Sequence, residues 1–347
     1  MTSVSDYAHL WEAQPGWLNT ASYGLPPRPA WEALQAALAD WHVGATSWEP
    51  WDESTTRARE SFARLIGAPA ADVFVGSTVA AGVAPIAAAL PDGAKVLVDD
   101  VEFTSNVFPW QAHADRGVEV VSAPTAELIQ AIRPGIDLVA VSAVQSATGD
   151  VLDLPAVVAA SKEIGALLVL DASQAAGWLP LDVRGVDALI AHTYKWLMSP
   201  RGATLGYLSP ELQERCRPIF ANWYAGNDRH SSYYGTRMDL APDARRFDQS
   251  PAWFSFVGAA PALELLEQIG IPAIHEHNLA LANEFRAGLG LPPSNSAIVS
   301  TSFPGADEAF KAANIRAAVR NGNLRASFHV YSTSADVELA LRALKNI

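Results

Sequence analysis

From about residue 60 to residue 210, two kinds of segment alternate, and this alternation constrains the fold more than any other feature. One kind is short and rich in Val, Leu and Ile: VFVG near 75, KVLVDD near 97, VEVVSA near 120, LVAVSAV near 140, LLVLDAS near 169, ALIAHTY near 190 and ATLGYLS near 205. Runs that are apolar on both faces suit strands buried inside a mostly parallel sheet. The other kind is longer and Ala-rich with helical spacing: TVAAGVAPIAAAL, TAELIQAI and LPAVVAASKEIG. The pattern predicts an α/β fold with helices covering a mostly parallel sheet, and ligands in such folds sit at the carboxyl ends of the strands.

The last third reads differently. PAIHEHNLALANEFRAGLG has helical spacing and AIVSTSFP reads as a strand. IRAAVRNGNLRASFHVYS holds an Asn-Gly turn between two strand-like stretches, a hairpin signal. DVELALRALKNI closes the chain as an amphipathic helix. A smaller α+β domain is expected here. At 347 residues the chain is long enough for two domains around a cleft. The expected division is an N-terminal segment, 1–19, packing with the small domain, a large domain over 20–250, and the small domain over 251–347.

Composition narrows the partners. With 24 Lys and Arg against 37 Asp and Glu, the chain lacks the basic balance that nucleic acid or an anionic membrane selects. No apolar run has the length of a bilayer span, and the N-terminus lacks the basic start and apolar middle of a signal peptide. A single cysteine, Cys216, rules out a disulfide framework and a cysteine metal cluster. The expectation is a cytoplasmic protein that acts on a small molecule.

Three motifs carry chemistry. In LLVLDASQAAG, Asp171 ends a buried strand, where a carboxylate is costly unless it meets a cation or a donor. The bland reading is a cap on the next helix. In AHTYKWLMSPRG, Lys195 comes after the next apolar strand, between Tyr194 and Trp196, with no carboxylate near it in sequence. Most lysines are surface charges, but one at a buried strand end can form a Schiff base when its surroundings lower its pKa. In VFVGSTVAAG, a strand ends at Gly76, and Ser77 and Thr78 precede a helix. Free N–H groups and hydroxyls there suit an anion, although Ser and Thr are also ordinary helix caps. His192 and Tyr194 can donate hydrogen bonds to a phosphate.

The order GST, VEFTSN, DASQAAG, HTYKW, RRFDQSP and LRASFHVYST resembles the class V aminotransferase family of pyridoxal-phosphate (PLP) enzymes, from LNTASYG to the last helix. The resemblance implies fold type I, PLP as cofactor and an α-amino acid as substrate. It implies that Lys195 carries PLP as a Schiff base and serves as general base and acid at the substrate α-carbon. Asp171 would bind the ring nitrogen, Gln174 the ring hydroxyl, and Phe103 would stack on the ring. Ser77, Thr78, His192 and Tyr194 would hold the phosphate. Ser250 stands where the family places a Thr that reaches the phosphate of the neighbouring subunit, which implies a homodimer with shared active sites. Arg325 matches the arginine that grips the α-carboxylate, a task suited to a bidentate fork. Ser146, or its neighbour Gln145, falls where many members have an Asn near the substrate.

Two departures bear on the reaction. Phe103 replaces the stacking His of cysteine desulfurases, and GLPPSNSAIVSTSF lacks their nucleophilic Cys. Persulfide formation is therefore not expected. Transamination is the first expectation and a β-elimination such as Cβ–S cleavage the second. Racemisation, or a fold retained without catalysis, are further alternatives. No G-x-G-x-x-G or P-loop lysine supports a nucleotide enzyme. The bland reading is preferred for three other features. His275 and His277 do not share a helix face, so zinc is not expected. Trp41, Trp48 and Trp51 read as packing. Arg237, Arg245 and Arg246 read as ion-pair partners of Asp239, Asp243 and Asp248.

Overall fold

The computed structural model describes residues 3–345. The apolar runs form a seven-stranded sheet: β1 Val73–Gly76, β2 Lys95–Asp99, β3 Glu119–Ala123, β4 Leu138–Ser142, β5 Leu167–Asp171, β6 Ala188–His192 and β7 Thr204–Leu208, in the order β1-β7-β6-β5-β4-β2-β3. Pairing is parallel from β3 through β6, and β7 runs antiparallel to both its neighbours. The fold is therefore the expected α/β type with a mostly parallel sheet. Strands β1, β4 and β7 are buried along their whole length, which accounts for their largely apolar sequences with no polar alternation. The ends Gly76, Ser142, Asp171 and His192 come to one edge of the sheet, and Thr204 at the start of β7 pairs with both Gly76 and His192.

Helices cover both faces. The long ones are α1 Arg28–Val43, α2 Glu49–Ile66, α3 Val79–Ala89, α4 Leu154–Ile164, α5 Trp253–Ile269, α6 Ile271–Gly288 and α7 Ser334–Leu344. Thr78 caps α3 by accepting from the Ala81 N–H at 3.1 Å, and Asp153 caps α4 in the same way from Ala156. The stretch TAELIQAI, expected as one helix, divides into a 3-10 turn, Thr125–Glu127, and a single turn, Leu128–Ala131. Pro134 comes soon after and disfavours helical backbone at Arg133.

The small sheet has the order β8-β10-β9, with β8 Ile298–Thr301, β9 Ala318–Arg320 and β10 Asn323–Ser327. Asn321 and Gly322 take φ of 48° and 77° between β9 and β10, the double positive φ of a tight hairpin turn. Trp17 and Asn19 bridge to Arg316 and Ser327 of this unit, whereas Val4 and Trp11 lie in the core of the large one. Helix α5 packs on α1 and α2, and its buried face joins the core beneath β5 and β6. A division at 250/251 would separate α5 from those helices. We propose the boundary at Gly270 instead, where α5 and α6 meet at a bend of 84°. No single described helix is long and apolar enough to cross a membrane.

Candidate active site

The site is built at the sheet edge where β5 and β6 end. Lys195 lies in a closed loop after β6. The Met198 N–H donates to the Lys195 carbonyl, the Ser199 N–H to the Thr193 carbonyl, and the Ser199 hydroxyl to Thr193 Oγ1 at 2.5 Å. Met198 adopts φ 54°, a conformation uncommon for a side-chain-bearing residue, so packing imposes this turn. From the other side, Gly24 donates its N–H to the Tyr194 carbonyl, and a Cβ at Gly24 would stand 2.1 Å from the Lys195 carbonyl oxygen. Only glycine permits this approach, which brings the segment after Asn19 over the lysine loop.

Lys195 is buried and has no salt-bridge carboxylate among the described residues. Burial lowers its pKa to about 8; Asp171 opposes the shift, and Arg325, Arg320 and Arg201 add to it. A sizeable neutral fraction near neutral pH is what a nucleophilic amine needs. Its Nζ stands 5.5 Å from the centre of the half-exposed Phe103 ring and 5.9 Å from that of Tyr194. Asp171 is buried, and its Oδ1 accepts from the Ser173 N–H at 2.8 Å. No helix follows β5, so this i to i+2 bond closes a local Asx turn and not the helix cap of the bland reading. Among the described residues no donor meets its other oxygen, so the carboxylate retains capacity for a cationic partner.

The remaining expected residues lie at or near the same sheet edge, where Thr204 of β7 pairs with both His192 and Gly76. His192 is within 3.1 Å of Thr204 Oγ1 and packs beside Tyr194. Burial, opposed by Asp171, lowers its pKa to about 4, so the ring is neutral. Ser77 and Thr78 are exposed at the start of α3; Ser77 donates to Gln249 Oε1 at 3.0 Å and Thr78 caps the helix. The first N–H groups of α3 point out of its end. Ser250 is exposed beside them, because buried Asp248 accepts from the Val75 N–H and pairs with Arg59. Gln174 is buried and tied on three sides. Its Oε1 accepts from the Trp196 indole at 2.8 Å, and its Nε2 donates to the Ala21 carbonyl at 2.9 Å and to Ser146 Oγ at 3.3 Å.

Arg325, on β10, completes the cleft from the small sheet. It is 2% exposed, yet no carboxylate pairs with it among the described residues. Nη1 donates to the Ser146 carbonyl at 2.6 Å and lies 3.3 Å from Ser146 Oγ, Nη2 donates to Ser22 Oγ at 2.9 Å, and Nε has no partner. Burial, and secondarily Arg320, lower its pKa to about 10, which leaves it charged at neutral pH. A buried guanidinium held only by neutral oxygens is costly until an anion reaches it. Ser146, rather than Gln145, faces this group: Gln145 turns its Oε1 to the Ser146 N–H.

Two polar residues of the site escaped the sequence reading. Glu102 is buried; its Oε2 accepts from the Ser142 N–H at 2.7 Å, and its Oε1 from the Ser142 hydroxyl and the Phe103 N–H. Burial raises its pKa to about 7, with Asp171 adding to the rise. Ser22, which anchors Arg325, lies beside a cavity of about 390 Å³ lined also by Tyr23, Trp31, Tyr194 and Arg201. A carboxylate shortly after β2, as Asp171 ends β5, was the available signal for Glu102. A larger hollow of about 990 Å³, between α2 and the 226–245 segment, contains none of these residues.

The features given a bland reading are engaged in packing or pairing. His275 stacks on Trp178 and His277 bonds the Ser332 carbonyl. No cluster of potential metal ligands occurs among the described residues. Trp48 and Trp51 pack with Trp223, Trp253 and Phe254, and Trp41 packs on Phe254. Arg237 and Arg245 pair with Asp239 and Asp243, but Arg246 pairs with Glu214, and Asp248 is taken by Arg59.

A buried amine of lowered pKa, a buried carboxylate with a free oxygen, an aromatic face and a helix N-terminus at one strand edge fit PLP. Residues 48–302 match the family Aminotransferase class-V, and the chain belongs to that family of PLP-dependent enzymes. It is 30% identical over 346 residues to YcbU of Bacillus subtilis, an uncharacterized aminotransferase, covering 93% of this chain and 92% of that protein. It is 26% identical to a kynureninase of Salinispora tropica, over 77% of this chain and 70% of that one. Among solved structures, a cysteine desulfurase of Thermococcus onnurineus superposes with a TM-score of 0.85 at 22% identity, over 100% of this chain and 98% of the other. The cystine C–S lyase C-DES superposes with a TM-score of 0.86 at 20% identity, over 98% and 99%.

Proposed function

We propose that the protein transaminates an α-amino acid with PLP held on Lys195. The observation that carries this reading is the buried Lys195 amine, its pKa lowered to about 8, with Nζ 5.5 Å from the Phe103 ring centre and in the electrostatic field of Asp171 and of an Arg325 guanidinium that no carboxylate pairs among the described residues. PLP, when bound, supplies an electron sink that labilises the bonds of the substrate α-carbon. Asp171, with one oxygen free of donors among the described residues, would hold the proton of the ring nitrogen, and Phe103 would stack on the ring. Ser77, Thr78, His192 and Tyr194 hold the phosphate at the α3 end, and Ser250 serves the phosphate of a second subunit in a homodimer. Gln174, whose Nε2 has its longest contact at 3.3 Å to Ser146, would be the residue to bind the ring hydroxyl. Arg325, aimed by Ser146 and Ser22, binds the α-carboxylate. Lys195 takes the α-proton and returns it, acting as base and then acid.

The 30% identity to an aminotransferase favours transamination. A β-elimination is the second reading, supported by the likeness to a C–S lyase and by the fact that the same residues serve both reactions. Cysteine desulfurisation through Cys216 is not proposed, because burial raises that thiol to about 11 and the chain has no other cysteine. Spectra of the PLP-loaded protein with a panel of amino acids test the reading. Transamination converts the visible band to the pyridoxamine form, and a keto acid restores it. A band that persists while pyruvate and a thiol accumulate over many turnovers marks the lyase and contradicts transamination.

A further inference from the structure

Arg320 is an exposed arginine on β9 that none of the roles above uses. In the β9–β10 hairpin, Arg325 pairs with Ala318, and Arg320 lies two residues beyond Ala318 on the same strand. Side chains two residues apart share a face, so Arg320 and Arg325 are diagonal neighbours on one face of the hairpin. Both converge on one oxygen: Nη2 of Arg325 lies 2.9 Å from Ser22 Oγ and Nη2 of Arg320 lies 3.5 Å from it. Like charges so placed repel, and among the described residues no acidic side chain pairs with either. The acidic balance of the whole chain makes such a pair all the less a matter of composition. Arg320 also acts on the reacting groups, since its charge helps to lower the pKa of both Lys195 and Arg325.

One α-carboxylate answers one of these two charges. The cofactor phosphate does not answer the other, because the α3 end comes after β1, and β1 is separated from β4 and its Ser146 loop by β7, β6 and β5. Resting on the reading of Arg325 as the α-carboxylate site, we propose that Arg320 is a specificity-determining residue that binds a second carboxylate, on the substrate side chain. The substrate class is then an amino dicarboxylate of aspartate or glutamate type. Its two carboxyl groups, joined by a short carbon chain, span the distance between two guanidiniums that share one serine oxygen. Arg320 is exposed beside the Asn321-Gly322 turn, where a side-chain carboxylate can reach it from solvent, while Arg325 is buried.

Two unreactive acids of equal length, succinate and butyrate, test this by calorimetric titration of the PLP-loaded enzyme, with no turnover needed. The expected result is that succinate binds at least about tenfold tighter than butyrate, the worth of one charge-assisted pair. Arg320→Ala should reduce that ratio to within about threefold, with the loss falling on succinate and not on butyrate, while the melting temperature stays as it was. The proposal is overturned if the wild type shows no preference or if Arg320→Ala keeps it. Equal weakening of both acids also overturns it, because Arg320 would then share the α-carboxylate. A wild type without the preference but with an intact visible band removes only this inference. A protein that prefers succinate but shows no lysine-bound cofactor contradicts the proposed function and leaves the two-anion site standing.

Discussion

Arg325 and Ser146 form a contact between the small sheet and the loop after β4 of the large one: Nη1 of the arginine donates to the serine carbonyl at 2.6 Å. The bond orients a charge without neutralising it. A carboxylate entering the cleft therefore meets a guanidinium already aimed and already desolvated. Arg325→Ala should raise the Michaelis constant for the amino acid by about a hundredfold, the scale of a lost bidentate pair, while PLP stays bound. Steady-state kinetics beside an absorption spectrum check this. An unchanged constant would remove Arg325 from carboxylate binding.

Phe103 stands over Lys195 with its ring centre 5.5 Å from Nζ. If the ring covers one face of the cofactor, Phe103→Ala should weaken PLP retention by about tenfold, and Phe103→Tyr should keep most of it. Equilibrium dialysis of both variants measures the effect. Equal retention in all three proteins would put the ring outside the cofactor site.

The lowered pKa of Lys195 sets a pH dependence for cofactor capture by the apoprotein. Only the neutral amine attacks an aldehyde, so the capture rate should climb as pH rises through about 8 and level off above it. An ordinary lysine would still be climbing at about pH 10. Stopped-flow absorbance across this range separates the two cases.

Glu102 predicts a stability effect of opposite sense. Its pKa rises from an ordinary 4.5 to about 7 in the folded chain. Folding then binds a proton in this window, so the stabilisation is complete below 4.5 and is lost as pH rises through about 7. Glu102→Gln removes the titration. Relative to this variant the wild-type apoprotein should lose stability between about pH 5 and pH 8, on the order of 2 kcal/mol. Denaturant unfolding at the two pH values measures the difference, and a constant difference would refute the assignment.

The sheet was legible because β1 to β7 are largely apolar on both faces, and the hairpin because Asn321-Gly322 marks its turn. Helices α1, α2 and α5 were not. In α5 the packing is apolar nearly all round, and it carries Gly258 and Pro261, so neither its periodicity nor its composition marks a helix. Its contacts with α1 and α2, which underlie the boundary proposed at Gly270, are long-range and not encoded in local sequence. Of the site, Lys195, Asp171 and Arg325 could be read because each stands in a motif whose order is informative. Glu102, Ser22 and Arg320 could not. Glu102 finds Ser142 across the sheet, and Ser22 meets Arg325 and Arg320 only through the docking of the N-terminal segment.

The central claim is that Lys195 carries PLP, and reductive trapping tests it most directly. PLP-loaded protein is treated with borohydride, digested and mapped by mass spectrometry. The account predicts a phosphopyridoxyl group on Lys195 alone, and none on any lysine of Lys195→Ala, which should also lack the visible band and turnover. Modification of a different lysine, or a visible band that survives in Lys195→Ala, would contradict it.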